Sequence, residues 1–202
     1  MGMGWIVGRR YQGLSTLLGE RPVKRLELKG GAELRPLSEA DNSELSALIE
    51  ANREHLRPWM PWAADQTPER TLAFLRQAVR QELANDGFQA ALRVDGRIAG
   101  VAGYHGIDRQ NATTTLGYWL AAPYEGRGLM TAAVERLVSY AFEEWRLHRV
   151  ELRAAPANVR SRAIAERLGF REEGRLREAE RFGEEFRDLV LYSVLAQEWP
   201  QD

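Results

Sequence analysis

The sequence predicts a single mixed α/β (α+β) domain in which a central sheet is flanked by about four helices. Three observations support this class: a hairpin signal in the middle of the chain, a long amphipathic helix directly after a glycine-rich turn, and two further strands near the C-terminus. The predicted element order is β-α-α-β-β-β-α-β-α-β-β. The chain has 202 residues, of which 44% are hydrophobic, and this suits one large domain.

The N-terminal segment, residues 1–22, is predicted to be an extension outside the folded domain, which we expect to span residues 23–199. The extension contains five glycines and has no sustained hydrophobic period, and termini of this kind are often poorly ordered. The domain then begins with a predicted hairpin, because residues 23–28 and 32–37 are strand-like and flank Lys29-Gly30-Gly31.

Two helices are predicted next. Ser38 and Asp41 resemble a capping box and precede apolar residues at helical spacing. The second helix has Thr67 as its cap and Pro68 in its first turn. The segment between the helices, residues 58–62 (Pro-Trp-Met-Pro-Trp), is too rich in proline for regular structure. Its tryptophans either line a substrate cleft or fill a corner between the two helices.

The middle of the chain is predicted to be a β-hairpin. Residues 88–94 and 97–104 flank Asp95-Gly96, a pair that tolerates the positive φ angles of a tight turn. A third strand, residues 112–120, leads into the glycine-rich stretch 124–128. The remaining elements are a long helix to about Trp145, a strand at 150–154, a helix at 158–168, and strands at 174–182 and 186–195.

Composition excludes several classes of function. The 28 Lys+Arg and 29 Asp+Glu give a net charge of -1, which argues against a nucleic-acid binder. Without cysteine there is no disulfide framework, no thiolate zinc site and no cysteine acyl-enzyme. The three histidines are far apart in sequence, and no apolar run reaches the length of a membrane span. We therefore expect a metal-free cytoplasmic protein without a nucleic-acid or membrane partner.

The most informative segment runs from Leu120 to Thr131. A strand ends, Gly126 and Gly128 permit a tight turn, and a helix begins at once. This geometry directs free backbone N–H groups and the positive end of a helix dipole at one point, where a phosphate is stabilised. Arg127 adds a positive charge, and the Thr131 hydroxyl adds a donor. The alternative is an ordinary strand-to-helix turn in which the glycines only relieve strain.

This segment, with the strand 117–120 before it, resembles the acetyl-CoA pyrophosphate loop of the Gcn5-related N-acetyltransferase (GNAT) superfamily. Residues 158–161 (Asn-Val-Arg-Ser) and 167–170 (Arg-Leu-Gly-Phe) are similar to the second cofactor motif of that superfamily. Residues 52–62 and 191–195 resemble the corresponding segments of the bacterial branch of this superfamily, whose members acetylate the N-terminal amine of ribosomal proteins. The resemblance covers nearly the whole predicted domain.

The resemblance implies acetyl-CoA as the acetyl donor, and a sheet whose strands 117–120 and 150–154 splay apart to admit the pantetheine arm. The cofactor-binding residues that it implies are Trp119, Leu120, Gly126, Arg127, Gly128, Leu129, Met130, Thr131, Asn158 and Ser161. Glu125 departs from the Gln or Arg that is usual in the superfamily, and we expect its side chain to turn outward. Arg160, Arg162 and Arg167 are candidates for a coenzyme phosphate, but an arginine-rich helix face is usually only solvated.

Glu180 is the predicted catalytic base. Strict alternation from Gly174 places Glu178 and Glu180 on one side of a strand with apolar residues, and burial there raises the pKa of a carboxyl group toward neutrality. In the resembled branch the acid at the position of Glu180 is the proposed base, and the serine matching Ser161 is proposed to interact with the thiolate. Either Glu178 or Glu180 fits the residue pattern, and a solvated ion pair with arginine is the alternative to catalysis.

The expected reaction is direct attack of an amine in a ternary complex. An N-terminal α-amine has a pKa of about 7.7–8.0, against about 10.4 for lysine, so a weak carboxylate base suits a protein N-terminus better. Two alternatives remain: acetylation of a small amine such as a polyamine, an amino acid or an aminoglycoside, and an acyl-CoA-binding sensor without turnover. The apolar surface of the tryptophan segment also suits a homodimer contact.

Overall fold

An eight-stranded mixed sheet organises residues 25–200, the part of the chain that the computed structural model describes. The predicted extension at residues 1–22 lies outside the described residues. The strands are β1 Leu26–Glu27, β2 Glu33–Pro36, β3 Gln89–Val94, β4 Arg97–Asp108, β5 Thr113–Leu120, β6 Arg149–Ala154, β7 Arg171–Phe182 and β8 Glu185–Leu195. The α-helices are α1 Asn42–Ala51, α2 Arg53–Leu56, α3 Pro68–Leu83, α4 Leu129–Glu143 and α5 Val159–Arg167. The mixed α/β class is confirmed.

The strand order is β1-β2-β3-β4-β5-β6-β8-β7. Neighbouring strands are antiparallel except β5 and β6, which are parallel because helix α4 connects them. Their pairing runs from Thr113 opposite Arg149 to Leu116 opposite Leu152 and goes no further. Residues 117–120 of β5 continue to pair with β4 but have left β6. The predicted splay is therefore confirmed.

The helices form a layer on each face of the sheet. Apolar residues of α1 and α3 pack on one face, where Leu45 and Leu75 belong to the same buried cluster as Ala91 of β3. The other face carries α4, whose buried stripe includes Val134 and Leu137. The alternation of β3 between the two cores is the period-2 pattern of a strand that is buried on both sides.

Local signals in the sequence place the turns and caps. Asp95 and Gly96 have φ angles of 50° and 78°, as the tight turn between β3 and β4 requires. The Thr67 side chain caps α3 by accepting a hydrogen bond from the Arg70 N–H. Asp41 accepts hydrogen bonds from both the backbone N–H and the hydroxyl of Ser38, so the predicted capping-box contact is present. It precedes a short 3-10 turn rather than α1 directly.

Within residues 25–200, no helix is both long enough and apolar enough to cross a membrane. The same residues contain no group of three His, Asp or Glu side chains arranged to hold a metal ion.

Candidate active site

A cleft of about 1930 Å³ opens where β5 and β6 separate. Its walls are α2 and the loop after it, α3, the facing parts of β4 and β5, the first turn of α4, the first turns of α5, and Glu180 of β7. Pockets for one small molecule usually measure about 300–1,000 Å³. The cleft is therefore large enough for two reactants side by side.

The turn before α4 has the geometry of an anion site. Gly126 and Gly128 both have a φ of 73°, a left-handed conformation that glycine adopts without strain. A Cβ atom built at either position meets nothing within 4 Å, so a ligand can approach the backbone closely. The first N–H groups of α4 have no acceptor within the helix, and the residues that carry them line the cleft. The buried Asn52 holds the preceding loop by accepting a hydrogen bond from Ala122 N–H at 3.0 Å.

Most of the predicted cofactor residues line this cleft: Trp119, Leu120, Gly126, Gly128, Leu129, Met130, Thr131, Asn158 and Ser161. The Met130 side chain is buried in the core, so only its backbone is available to a ligand. Arg127 is exposed, and its guanidinium carbon lies 5.9 Å from the centroid of the Tyr124 ring instead of in the cleft.

The first turn of α5 carries a hydroxyl into the cleft. Asn158 caps the helix by accepting a hydrogen bond from the Ser161 N–H at 3.1 Å. The Ser161 Oγ lies 3.0 Å from the hydroxyl of Tyr118 on β5. Burial raises the pKa of Tyr118 to about 12, so its hydroxyl stays protonated at physiological pH. The hydroxyl pair therefore joins α5 to β5 beside the point where β5 and β6 part.

Glu180 lies in the cleft wall, and burial raises the pKa of its carboxyl group, an effect partly offset by Arg187. The prediction that Glu178 shares this face is wrong. Between the pairs Leu176–Leu189 and Glu180–Arg187, β7 contains two more residues than β8. Glu178 lies in the resulting bulge, exposed and with a φ of 50°.

The aromatic loop between α2 and α3 forms a wall of the same cleft. Trp59 and Trp62 both line it, and the Trp62 ring centroid lies 6.1 Å from that of Trp119 on β5. Arg53 holds the loop by donating hydrogen bonds to the carbonyl oxygens of Ala64 at 3.0 Å and Gln66 at 2.8 Å. Of the two interpretations of this segment, the structure favours the cleft wall.

Glu125 does not turn outward to solvent as expected. Its carboxylate accepts a hydrogen bond from Arg160 of α5, and its other oxygen lies 3.3 Å from His55 Nε2 of α2. The Arg160 guanidinium and the His55 imidazole thus face the Glu125 carboxylate and offset its negative charge close to the anion site.

Sequence reasoning missed three residues of the cleft. The arginine-rich pattern of α5 favours a solvated Arg167, but its guanidinium donates to Thr131 Oγ1 at 3.0 Å, next to the first turn of α4. His105 packs its imidazole against Gly117, and desolvation and Arg153 lower its pKa. Tyr118 carried no signal beyond its place in the strand before the turn. Arg167 and Tyr118 contact segments distant in sequence, whereas His105 contacts the neighbouring strand of its own hairpin.

Comparison with known proteins places this geometry among acetyltransferases. Residues 32–171 match the family model described as an acetyltransferase (GNAT) domain. Over 171 residues the chain is 39% identical to YdaF of Bacillus subtilis (strain 168), a candidate ribosomal N-acetyltransferase, and the match covers 82% of this chain and 92% of YdaF.

Two further similarities extend over most of the chain. The ribosomal-protein-serine acetyltransferase of Escherichia coli (strain K12) is 25% identical over 172 residues, which cover 85% of this chain and 96% of that protein. The crystal structure of the microcin C7 self-immunity acetyltransferase MccE, in complex with acetyl-CoA and AMP, has a TM-score of 0.81 and 26% identity. That alignment covers 89% of this chain and 98% of MccE.

Proposed function

Because the chain belongs to the GNAT acetyltransferase family, we propose that this N-acetyltransferase moves an acetyl group from acetyl-CoA to the N-terminal α-amine of a protein, of the ribosomal type. The observation that carries the proposal is the junction of three features in one cleft: the anion turn at Gly126–Gly128, the gap between β5 and β6, and the carboxyl group of Glu180.

The donor half of the cleft suits coenzyme A. The backbone N–H groups from Gly126 to Thr131 would hold the diphosphate, with Arg167 next to them as a positive charge. The narrow arm of the coenzyme would enter between 117–120 and the end of β6, which brings the thioester to the middle of the cleft. Asn158 adds an amide at the entrance to α5. The similar structure of MccE, which was solved in complex with acetyl-CoA, supports this donor.

The residues around the thioester fit direct transfer. Glu180 accepts a proton from the attacking amine as the bond from nitrogen to the carbonyl carbon forms. A backbone N–H of strand 117–120 donates to the carbonyl oxygen as it gains charge. The carbon–sulfur bond then breaks, its electron pair remains on sulfur, and the Ser161 hydroxyl stabilises the thiolate. Since the chain has no cysteine, none of these steps uses a cysteine acyl-enzyme.

The acceptor half of the cleft suits a peptide. A pocket for a polyamine would collect carboxylates, whereas this half mixes Glu54 and Glu180 with Arg70 and Arg153 along an aromatic wall. An α-amine is also the easier substrate, because about a tenth of such amines are neutral at pH 7, against fewer than about one lysine in a thousand. The names of the relatives from Bacillus subtilis and Escherichia coli support a ribosomal acceptor.

The test is an acceptor panel with the purified full-length protein and acetyl-CoA. Peptides that open with Ser or Ala should release coenzyme A and gain one acetyl group, while the same peptides with a blocked N-terminus and a free lysine should not react. Turnover with polyamines, amino acids or aminoglycosides but with no peptide would assign a small amine as the acceptor. Tight binding of acetyl-CoA without turnover on the whole panel would indicate an acyl-CoA sensor.

We also propose that the enzyme acts in the cytoplasm, where ribosomal proteins and acetyl-CoA are both present, and that it forms a homodimer. Fractionation of cells and sedimentation of the purified protein test these two statements separately. A membrane-bound fraction would contradict the first statement, and a monomer at all concentrations would contradict the second.

A further inference from the structure

Tyr118 lies at the point where β5 leaves β6. The last residue pair between the two strands is Leu116 with Leu152, and Tyr118 follows two residues later. Its hydroxyl lies 3.0 Å from Ser161 Oγ and 3.3 Å from the Ser161 carbonyl oxygen. Both residues line the cleft, so the hydroxyl pair lies inside the site, at the edge of the gap between the strands.

We propose that Tyr118 is a positioning residue for departure of the thiol: its hydroxyl donates to Ser161 Oγ and thereby directs the Ser161 hydrogen toward the sulfur of the donor. This inference rests on the proposed function for the location of the thioester, and it assigns to Tyr118 a role that acts through Ser161. It applies to any amine acceptor, because the same carbon–sulfur bond breaks in every case.

Either hydroxyl can donate in this pair, and the single Tyr118 hydrogen has two possible acceptors, Ser161 Oγ at 3.0 Å and the Ser161 carbonyl oxygen at 3.3 Å. The shorter distance favours donation to Oγ, because O–H···O hydrogen bonds usually measure about 2.5–3.0 Å. A serine hydroxyl has one hydrogen and can accept through its lone pairs, and it rotates to suit its surroundings. The backbone N–H of Ser161 is already taken by the Asn158 side chain. Among residues 25–200, Tyr118 is the partner of Ser161 Oγ. When Tyr118 donates to that oxygen, the serine hydrogen is left free to point into the cleft.

Tyr118 could act either as a hydrogen-bond donor or as a general acid, and its pKa decides between these two roles. Burial raises its pKa to about 12, whereas an ordinary thiol has a pKa of about 8.5. A thiolate is therefore too weak a base to remove the Tyr118 proton. Tyr118 keeps its proton throughout, polarises the Ser161 hydroxyl, and strengthens the hydrogen bond that this hydroxyl donates to the departing sulfur. The amine proton goes to Glu180, and the electron pair of the broken bond stays on sulfur until solvent protonates it.

The position of both groups is fixed before any ligand arrives. Tyr118 pairs with Ala102 of β4 in the antiparallel ladder, and its ring packs against the core beneath α4. Ser161 is held in the first turn of α5 by the Asn158 cap. A hydroxyl that is aligned in advance needs no reorientation when charge develops on sulfur, which is the condition for electrostatic stabilisation of a transition state.

Tyr118→Phe tests the proposal, because it removes one oxygen and keeps the ring. We expect kcat to fall about tenfold, as the loss of one hydrogen bond worth about 1.4 kcal/mol predicts. The Kd of acetyl-CoA should stay within about twofold of wild type, since the ring packing is retained. Tyr140→Phe is the matched control. Tyr140 packs against Phe88 and Trp145 on the face of the sheet that carries α4, and it is not among the residues that line the cleft.

The double variant separates positioning from a structural role. If Tyr118 acts through Ser161, then Tyr118→Phe combined with Ser161→Ala should be no slower than Ser161→Ala alone. Ser161→Thr, which keeps a hydroxyl, should restore the dependence on Tyr118. Effects that multiply in the double variant, or a loss in acetyl-CoA affinity as large as the loss in kcat, would overturn the proposal.

The same measurements distinguish this proposal from the assignment of the acceptor. If wild type acetylates a small amine and no peptide, the acceptor assignment fails, and the Tyr118 series measured with that amine still decides the proposal. If wild type binds acetyl-CoA but transfers acetyl to no amine, both fail.

Discussion

Glu180 owes its chemistry to its surroundings rather than to its residue type. A glutamate on an exposed strand has a pKa near 4.3 and is a weak base. In the cleft, burial raises the pKa of Glu180, and Arg187 on the neighbouring strand limits the rise. The raised pKa makes the Glu180 carboxylate a better proton acceptor than an exposed glutamate.

Glu180→Gln should lower kcat by about 10- to 100-fold, at or below the lower limit of the usual range for a general base, because part of the α-amine is already neutral. Only the deprotonated carboxyl group is active, so the kcat of wild type should fall as the pH drops through the raised pKa of Glu180. The variant should lose this acidic limb and keep its affinity for acetyl-CoA.

Glu178→Gln is the matched control for Glu180, two residues away in the same strand. Because Glu178 lies exposed in the bulge, its variant should keep the wild-type rate and pH profile. An unchanged acidic limb in Glu180→Gln would remove Glu180 from the mechanism, and a lost limb in Glu178→Gln would reverse the assignment.

At the scale of single elements, the turn before α4 follows directly from its residues. Two glycines with positive φ free the backbone to approach a ligand, and the helix that follows supplies N–H groups and a positive dipole end. The turn was predictable because all of its parts lie within a dozen consecutive residues. The bulge in β7 was not, because it depends on Asp188 of the partner strand, whose carboxylate accepts from the Glu178 N–H at 2.8 Å.

Gly128→Val should weaken the binding of acetyl-CoA. A branched side chain in the left-handed region costs about 1–2 kcal/mol and would occupy the open space in front of the helix terminus. Calorimetric titration should show a Kd at least about tenfold higher, which corresponds to about 1.4 kcal/mol.

The control for Gly128 is Gly183→Val, at the turn between β7 and β8. Gly183 has a similar φ of 64° and also has open space around its Cβ position. Its substitution introduces the same backbone strain far from the helix terminus, so the Kd of acetyl-CoA should not change. Equal losses in the two variants would mean that strain, and not obstruction of the turn, lowers affinity.

At the scale of the whole molecule, the chain order of the elements and their class were predictable from hydrophobic periodicity and turn residues. The contacts between side chains of different elements were harder to predict from the sequence. Arg167 and Thr131 are 36 residues apart in the chain and share a hydrogen bond, and Glu125 links α2 to α5. Such contacts depend on how helices rotate and pack, which no local pattern specifies. The predicted role of Arg127 rested on its place in the motif, and its side chain lies over Tyr124.

Acetyl-CoA should stabilise the whole domain, because its proposed site is assembled from β5, α4 and α5 together and is lost on unfolding. At a free concentration of 100 times Kd, mass action adds about 2.7 kcal/mol to the free energy of unfolding. Thermal unfolding should show a Tm that rises with ligand concentration in wild type and rises less in Gly128→Val. A Tm that does not change with the concentration of acetyl-CoA would contradict a site built from these elements.

The short parallel junction between β5 and β6 leaves the sheet with a missing stretch of ladder. Four residue pairs join the two halves, and beyond them each strand presents an edge of peptide groups toward the other without touching it. A molecule with amide groups of its own could form hydrogen bonds with these edges. A ligand of that kind would replace the inter-strand hydrogen bonds that end at Leu116 and Leu152. The two halves of the sheet would then be bridged by the molecule on which the protein acts.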